Sequence, residues 1–318
     1  MEGIYQWGIT VIKGIQGIES PPMTVIMRGL SFLGTEYFYF ALLPLVFWCI
    51  DEKKGIRLGI ILILSAWINL TLKSAFKAPR PFNLDPSVGR AYEQTYGLPS
   101  GHAQNSLVFW TLIASWGKRK RLYAGGLLLV LLIGLSRLYL GVHFPTDLFA
   151  GWLLALLILG IYGVSGRFIE KLLISGGTRL ELIGAALLAF LMNALYPEEA
   201  IPGGLMLGMG LGYGLMKKHL RFSAQKGLGD KKGKILILIL RFLLGMTVLA
   251  LLYRITRPLL PGEGSAYYRL AGFCRFALLG LWVYAGAPWL FLRLRLAEAR
   301  EGDRETGPAA ESPDSGAS

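Results

Sequence analysis

The chain has 318 residues, of which 53% are hydrophobic and only 17% are charged, and its mean hydropathy is +0.50. Soluble proteins average about 25% charged residues, so this composition excludes a soluble globular protein, and it is too apolar for a disordered chain. The net charge of +13 would suggest nucleic acid as the partner of a soluble domain. Here the basic residues lie in short connectors between apolar runs, which predicts cytoplasmic anchors of a membrane protein and no nucleic-acid site.

The first 30 residues predict an amphipathic helix that lies in the membrane interface. Five apolar residues recur at helical spacing: Ile4, Trp7, Val11, Ile15 and Ile18. We expect Pro21 and Pro22 to end this helix, because proline cannot continue the helical hydrogen bonds. The segment begins with an acidic residue and lacks a long apolar core, which disfavours a cleaved signal peptide. We therefore expect it to be retained.

Nine apolar stretches follow, and a helix of about 20 such residues is needed to cross the hydrocarbon core. They are residues 34–50, 55–72, 103–116, 122–140, 148–164, 180–196, 203–216, 235–253 and 270–292, of which the third and seventh are short. The glycines between positions 203 and 214 indicate close helix packing. The sequence therefore predicts an all-α fold, a polytopic membrane helix bundle.

Lysine and arginine concentrate in alternate connectors, which the positive-inside rule places in the cytoplasm. These connectors are 51–57, 117–121, 165–179 and 217–234, and they alternate with 73–101, 141–147, 197–202 and 254–269. Connectors 73–101 and 254–269 also carry basic residues, and an anionic ligand would account for those of 73–101. The acidic, Gly/Ser/Pro-rich residues 295–318 predict a disordered polar tail.

Three polar clusters lie at span ends on the extracytoplasmic side of this topology, at residues 73–81, 99–102 and 136–147. Lys73, Arg80 and Arg137 supply a point charge and two planar forks of N–H donors, which suit a tetrahedral phosphate. Ser100 and Gly101 precede a helix start. We expect their N–H groups and the hydroxyl to bind the same anion at the positive end of the helix dipole.

A candidate nucleophile lies in the third cluster. His143 and Asp147 are four residues apart, so the carboxylate can accept a hydrogen bond from one ring nitrogen and leave the other free to attack. His102 remains as the acid that protonates the departing oxygen. Cys49 and Cys274 lie in apolar stretches, and the chain has only three histidines. We therefore expect no disulfide, no metal site and no cofactor.

Together the clusters resemble the three-part motif of the type 2 phosphatidic acid phosphatase (PAP2) family, membrane relatives of the vanadium haloperoxidases. The matching patterns are K-x6-RP at 73–81, PSGH at 99–102 and SR-x5-H-x3-D at 136–147. The resemblance implies a metal-independent phosphatase with three groups of site residues: phosphate ligands Lys73, Arg80, Ser100, Gly101 and Arg137, a phosphohistidine at His143 oriented by Asp147, and His102 as the acid. Lys77 could replace Lys73, but the register of the motif favours Lys73.

A second resemblance concerns the substrate. Residues 33–39, 44–51 and 96–99, and the additional spans, are similar to the sphingosine-1-phosphate phosphatase branch. That branch usually has threonine where this chain has Gly101. The substrate therefore stays open among undecaprenyl diphosphate, phosphatidate, phosphatidylglycerophosphate and a sphingoid phosphate.

These patterns divide the chain into an interfacial helix (1–30), a PAP2-type catalytic core (31–165), additional transmembrane helices (166–294) and the tail (295–318). We expect a lipid phosphatase in a bacterial plasma membrane with its site on the extracytoplasmic side. The alternative is a lipid-phosphate transporter or flippase that reuses the pocket, although transporters place their charges near the bilayer midplane. Residues Arg90, Tyr92, Glu93 and Tyr96 form either a lid over the headgroup or a plain surface loop.

Overall fold

The computed structural model describes residues 2–170, 178–196, 198–226, 231–262 and 264–300, and every regular element in these ranges is helical. The helices are α1 (Glu2–Gln16), α2 (Pro21–Phe32), α3 (Glu36–Leu45), α4 (Glu52–Phe76), α5 (Pro81–Leu84), α6 (Gly101–Gly117), α7 (Lys120–Tyr139), α8 (Pro145–Glu170), α9 (Thr178–Leu195), α10 (Ile201–Leu215), α11 (Lys231–Thr256), α12 (Tyr268–Leu281) and α13 (Ala287–Arg293). Short π-helical segments, Val46–Ile50, Met216–Leu220 and Trp282–Gly286, follow α3, α10 and α12. The predicted all-α fold is confirmed.

Each of the nine predicted apolar stretches lies mainly in helical residues. Five helical stretches in the described part of the chain are long and apolar enough to cross a membrane: Glu52–Leu84, Lys120–Tyr139, Pro145–Gly166, Gly233–Thr256 and Tyr268–Arg293. A sixth is formed by Pro21–Phe32 with Glu36–Ile50, which bend by 51° at the break between them. The outer face of α8 is a continuous row of exposed apolar side chains, namely Phe149, Leu153, Leu156, Leu157, Ile161 and Val164. Such a face is suited to contact with lipid chains.

The N-terminal segment forms two helices where the sequence predicts one. Helix α1 ends at Gln16, and Pro21 and Pro22 begin α2 behind the N-cap Ser20. Proline fits this position because the first turn of a helix needs no backbone N–H donor. The prediction that these prolines end a helix was therefore wrong. The predicted apolar face of α1 is open to the surroundings at Ile4 and Trp7, whereas its other face packs against the protein.

The predicted catalytic core is a group of helices around α6, which packs against α4, α7 and α8. Apolar side chains of α3, α4, α6 and α8 fill one buried cluster, in which the ring centroids of Tyr39 and Phe109 lie 5.3 Å apart and Leu58 and Leu62 of α4 complete the contact. Dense packing in this cluster fixes the relative positions of the helix ends that carry the polar motifs.

The later helices pack on the core through α4 and the segment that precedes it. Glycine-rich α10 lies between α9 and α12, close to both, as the glycine pattern predicts. Trp48 is fully buried, and its indole N–H donates to the Val283 carbonyl oxygen at 2.8 Å. One shared cluster of buried residues joins Trp48 and Ile56 to Met206 and Tyr284. The helices after residue 166 are therefore continuous with the core in packing.

Arg241 of α11 connects the later helices to the core. It lies at the end of the bundle opposite the motifs. Its fully buried guanidinium donates to four carbonyl oxygens, those of Leu296 (2.8 Å), Trp48 (3.3 Å), Ala224 (2.7 Å) and Lys226 (3.1 Å). A buried cation with this many acceptors replaces most of the hydration that it loses. Arg241 therefore fixes the chain after α13 to the core.

The predicted tail begins later than expected. Ala297 is buried, Arg300 forms an ion pair with Glu52, and Glu52 accepts a hydrogen bond from the Ala224 N–H at 2.9 Å. The prediction of disorder was wrong for residues 295–300, since they pack against the body of the protein. The rest of the predicted tail, residues 301–318, lies outside the described residues.

Candidate active site

The predicted site residues meet at one end of the bundle. Lys73 is in the last turn of α4, Arg80 precedes α5, and Arg137 is in the last turn of α7. Ser100, Gly101 and His102 form the start of α6, and His143 and Asp147 flank the start of α8. Helix ends converge here because one apolar cluster aligns α4, α6 and α8, and α7 packs against α6. Basic, hydroxyl and imidazole groups of five chain segments thus face one another.

Two arginines form the centre of the site, and each is held by neutral acceptors. Arg80 donates from Nε to the Thr95 carbonyl oxygen at 2.6 Å and from Nη1 to the Val142 carbonyl oxygen at 2.8 Å. Arg137 donates from Nη1 to the Ser31 hydroxyl. Both side chains are almost fully buried. One terminal nitrogen of each arginine, Nη2, faces a common position, which we call the arginine seat. The Arg137 Nε has no hydrogen-bond partner in the described structure.

The carboxylate of Glu93 occupies the arginine seat. Its Oε2 lies 2.7 Å from Arg80 Nη2, and its Oε1 contacts Arg137 Nη2. Burial alone would raise the pKa of Glu93, but Arg137 and Arg80 outweigh it and lower that pKa to about 2. Glu93 is therefore ionised at neutral pH. For this connector the sequence left open either a lid over the headgroup or a plain surface loop. The contacts of Glu93 exclude the plain surface loop at this residue.

Lys73 lies beside the seat and fastens the same connector. Its Nζ donates to the Gly97 carbonyl oxygen at 3.2 Å and to that of Tyr96. Lys77 is exposed and ends α4 in a left-handed conformation. The structure therefore places Lys73 in the site and Lys77 outside it, in agreement with the register of the motif.

His143 is fully buried between a carboxylate and a guanidinium. Its Nδ1 lies 3.2 Å from Asp147 Oδ2, and its Nε2 lies 3.3 Å from Arg80 Nη1. Since a guanidinium only donates and a carboxylate only accepts, Nδ1 carries the hydrogen and Nε2 presents a lone pair. Burial and the positive charges of Arg80 and Lys73 lower the pKa of His143 well below its usual value. The ring is thus neutral, with Nε2 next to the arginine seat.

Ser100 joins the starts of two helices. Its Oγ accepts from the Ala103 N–H at 3.4 Å, which makes it the N-cap of α6. Its own N–H donates to the Asp147 carbonyl oxygen at 2.9 Å. The expectation that the Ser100 N–H binds an anion was therefore wrong, because this donor already holds α8 against α6. The Gly101 N–H, at the first position of α6, is oriented by the same cap.

His102 follows in the first turn of α6, and its Nε2 is buried with no hydrogen-bond partner in the described structure. The ring interacts electrostatically with Arg137, Glu93 and Arg80, so it borders the arginine seat. It rests on Gly34, where a methyl group would lie 2.7 Å from His102 Cδ2 and 2.9 Å from Ile133 Cγ2. Only glycine leaves room for the ring in this position.

A buried polar network beneath the site was not predicted. Asn69 Nδ2 donates to the Pro99 carbonyl oxygen at 3.3 Å and to Gln104 Oε1 at 2.8 Å. Gln104 Nε2 donates to the Ser65 carbonyl oxygen at 2.8 Å and to its hydroxyl at 3.0 Å. The network fixes α4 against the start of α6. Polar residues four apart inside an apolar run, Ser65 and Asn69, are a signal that could have indicated it.

Helix α1 also contributes contacts that the sequence did not indicate. The ring of Tyr5 packs on Phe144, next to the nucleophile, at a centroid distance of 5.0 Å. Gln16 Nε2 donates to the carbonyl oxygens of Val88 and Tyr139, each at 2.8 Å. Helix α1 therefore supports the chain on both sides of His143.

The donor set of the site is suited to an anion, since it consists of guanidinium, ammonium, hydroxyl and N–H groups. Across the described ranges, no group of three or more His, Cys, Asp or Glu side chains could hold a metal ion.

Comparisons with known proteins agree with this architecture. The PAP2 superfamily model matches residues 54–167, and the model for the PAP2 superfamily phosphatase transmembrane extension matches residues 200–299. An undecaprenyl-diphosphatase of Sulfolobus acidocaldarius is 33% identical over 161 residues, which cover 46% of this chain and 73% of that protein. The chain belongs to the PAP2 superfamily. The predicted family is thereby confirmed, and the matched extension and the apolar helices identify an integral membrane protein.

The resemblance to the sphingosine-1-phosphate phosphatases is also confirmed as a similarity. A probable sphingosine-1-phosphate phosphatase of Dictyostelium discoideum is 27% identical over 240 residues, 68% of this chain and 59% of that protein. The chain spans about half the length of the sphingosine-1-phosphate phosphatases that it matches. The crystal structure of a transmembrane PAP2 type phosphatidylglycerolphosphate phosphatase from Bacillus subtilis matches with a TM-score of 0.46 at 24% identity, covering 52% of this chain and 88% of that one.

Proposed function

We propose that this PAP2 protein is a lipid phosphatase that hydrolyses a phosphomonoester or diphosphate through a phosphohistidine at His143. One observation carries the proposal: the unprotonated Nε2 of His143 lies 3.3 Å from Arg80 Nη1, at the edge of the arginine seat. A phosphate bound to Arg80 and Arg137 would have its phosphorus next to this lone pair. Lys73 and the Gly101 N–H complete the set of donors around its oxygens.

The first half of the reaction transfers the phosphoryl group. His143 Nε2 attacks phosphorus, the bond from phosphorus to the oxygen of the departing lipid alcohol or lipid phosphate breaks, and His102, in its protonated form, donates a proton to that oxygen. Asp147 stabilises the positive charge that develops on the imidazole, because its carboxylate accepts from Nδ1–H. The arginine seat stabilises the negative charge on the equatorial oxygens of the transition state.

The second half restores the enzyme. His102, having given up its proton, removes one from a water molecule, and the resulting hydroxide oxygen bonds to phosphorus as the bond to Nε2 breaks. Inorganic phosphate leaves, His143 regains its lone pair and His102 regains its proton. The buried polar network at Asn69 and Gln104 keeps α6 in register with α4, and so keeps His102 and Lys73 at a constant separation.

The relatives suggest which lipids to test. Proteins named for sphingosine-1-phosphate, phosphatidylglycerophosphate and undecaprenyl diphosphate are all similar to this chain. We propose a substrate of this class, with phosphatidate as a further candidate. We further propose that the protein lies in a bacterial plasma membrane with its site on the extracytoplasmic side, and the alternation of basic connectors supports this orientation.

Phosphate release by the purified protein in detergent with EDTA tests the proposal. With one of these lipids as substrate, His143→Ala should lower kcat by at least about a thousandfold, because it removes the nucleophile. His219→Ala is the matched control, since His219 is exposed and lies on another helical segment. Equal activity of both variants would contradict the proposal. Absence of release from every lipid would instead favour the lipid-phosphate carrier.

A further inference from the structure

The arginine seat already holds an anion that belongs to the protein. The Glu93 carboxylate bridges Arg80 and Arg137 from the connector between α5 and α6, in the position that the proposed function assigns to the substrate phosphate. We propose that Glu93 is a specificity-determining residue, which keeps phosphodiesters out of the seat and yields it to phosphate groups with two negative charges. This inference rests on the proposed function, because it concerns the selectivity of the same site.

The charge of a phosphate group decides whether it can replace Glu93 in the arginine seat. The two guanidinium groups carry two positive charges, and Glu93 supplies one negative charge. A phosphodiester, the headgroup link of most bilayer lipids, also supplies only one, so it gains no electrostatic energy by replacing Glu93. It must also compete with a carboxylate tethered to the site, whose effective concentration is high. A phosphomonoester has a second pKa of about 6 and is mainly a dianion at neutral pH, so it neutralises both arginines.

The backbone around Glu93 allows its withdrawal. The connector is fixed on one side by Arg90, whose N–H donates to the Leu140 carbonyl oxygen, and on the other by Gly97, whose N–H donates to that of Ala78. Between these points, residues 91–94 form no backbone-to-backbone hydrogen bond in the described structure, whereas the carbonyl oxygens of Thr95 and Tyr96 are held by Arg80 and Lys73. The Glu93 side chain is 28% exposed, so it can move toward the surface without disrupting a helix.

Arg80 keeps its orientation when the Glu93 carboxylate leaves the arginine seat. Thr95 holds Arg80 through its carbonyl oxygen at 2.6 Å and its hydroxyl at 2.9 Å, and Val142 holds the third nitrogen. Arg137 keeps one neutral contact, from Nη1 to the Ser31 hydroxyl, and its Nε has no hydrogen-bond partner in the described structure. Neutral groups therefore orient Arg80 in full and Arg137 in part, and Glu93 is the one charged hydrogen-bond partner among the described contacts of the two arginines. For Arg80, an orienting role alone does not account for a carboxylate at the centre of the seat.

The test compares Glu93→Gln with the control Glu19→Gln. The amide introduced at position 93 keeps the shape of the side chain and removes its charge, whereas Glu19 pairs with Arg90 of the same connector at the surface. The KM and kcat for phosphatidate are measured in neutral detergent micelles, with and without phosphatidylglycerol as the phosphodiester. The shift in Tm caused by inorganic phosphate is measured for each protein as a readout that does not depend on turnover.

Glu93→Gln should lower KM by about tenfold, because the substrate no longer displaces a charged hydrogen-bond partner. Phosphatidylglycerol should become a competitive inhibitor of this variant while it barely inhibits the wild type and Glu19→Gln. The phosphate-induced rise in Tm should be larger in Glu93→Gln. An increased KM without inhibition by phosphatidylglycerol would overturn the inference, since Glu93 would then only orient the arginines.

The two proposals fail in distinguishable ways. If the wild type hydrolyses lipids and Glu93→Gln matches it in KM, inhibition and phosphate response, the inference on Glu93 is wrong and the proposed function stands. If no protein hydrolyses any lipid, the proposed function is wrong, and the Tm response to phosphate alone decides the inference. A stronger response of Glu93→Gln would then support it, and an unchanged response would refute it.

Discussion

Replacing Gly34 by alanine tests the assignment of His102 as the acid of the reaction. A methyl group at position 34 would lie 2.7 Å from His102 Cδ2, whereas carbon atoms in relaxed contact are at least about 3.5 Å apart. The ring must therefore move by about 0.8 Å. The methyl group has no room to move away from the ring, because Ile133 Cγ2 lies 2.9 Å from it on the other side. Misplacement of a catalytic group by about 1 Å can cost up to a hundredfold in rate.

We expect Gly34→Ala to lower kcat for a lipid monoester by about ten- to a hundredfold with little change in KM. The assay is phosphate release, run in parallel on p-nitrophenyl phosphate, whose phenolate leaves without needing a proton. Loss of the acid should affect that substrate much less. Gly29→Ala is the control, because no atom lies within 4 Å of a methyl group there. Equal losses on both substrates, or full activity on the lipid, would refute the assignment.

Two further predictions concern pH and stability. A protonated imidazole cannot attack, so kcat/KM, which reports the free enzyme, should fall as the pH drops through the lowered pKa of His143. The acid limb of kcat/KM should therefore lie below about 6.5, and a limb above that value would contradict the environment of the ring. Arg241→Met should destabilise the protein by about 3 kcal/mol or more, measured by thermal unfolding in detergent, since four carbonyl oxygens lose their donor. Arg254→Met, an exposed position on the same helix, should leave Tm nearly unchanged.

The sequence was sufficient for the parts of the site that depend on local spacing. His143 and Asp147 are one helical turn apart, and Ser100 caps the helix that His102 enters, so their geometry follows from a few adjacent residues. Lys73 lies at the end of a long apolar run, where a charge is least costly. The apolar runs likewise indicated α4, α6, α7 and α8, whose ends carry most of the motif residues, but not the short α5 that begins at Pro81.

Contacts between distant segments could not be predicted in the same way. Glu93 meets Arg137 across 44 positions, and within its own connector it is indistinguishable from a solvated carboxylate. Arg300 belongs by composition to a disordered tail, but it pairs with Glu52 in the first part of the sequence. The pair Pro21-Pro22 is compatible with the end or the start of a helix, and the capping hydroxyl of Ser20 decides between them.

Helix α8 has two faces with different surroundings. Its first turn holds Asp147 against His143, whereas Leu153, Ile161 and Val164 point outward from the protein. A single cysteine carrying a spin label or a fluorophore at one of these outer positions would sense the acyl chains while it reports on a helix rigidly joined to the nucleophile. The native Cys49 and Cys274 would first be replaced. Substrate binding could then be followed spectroscopically in a native bilayer, without any change to the reacting groups.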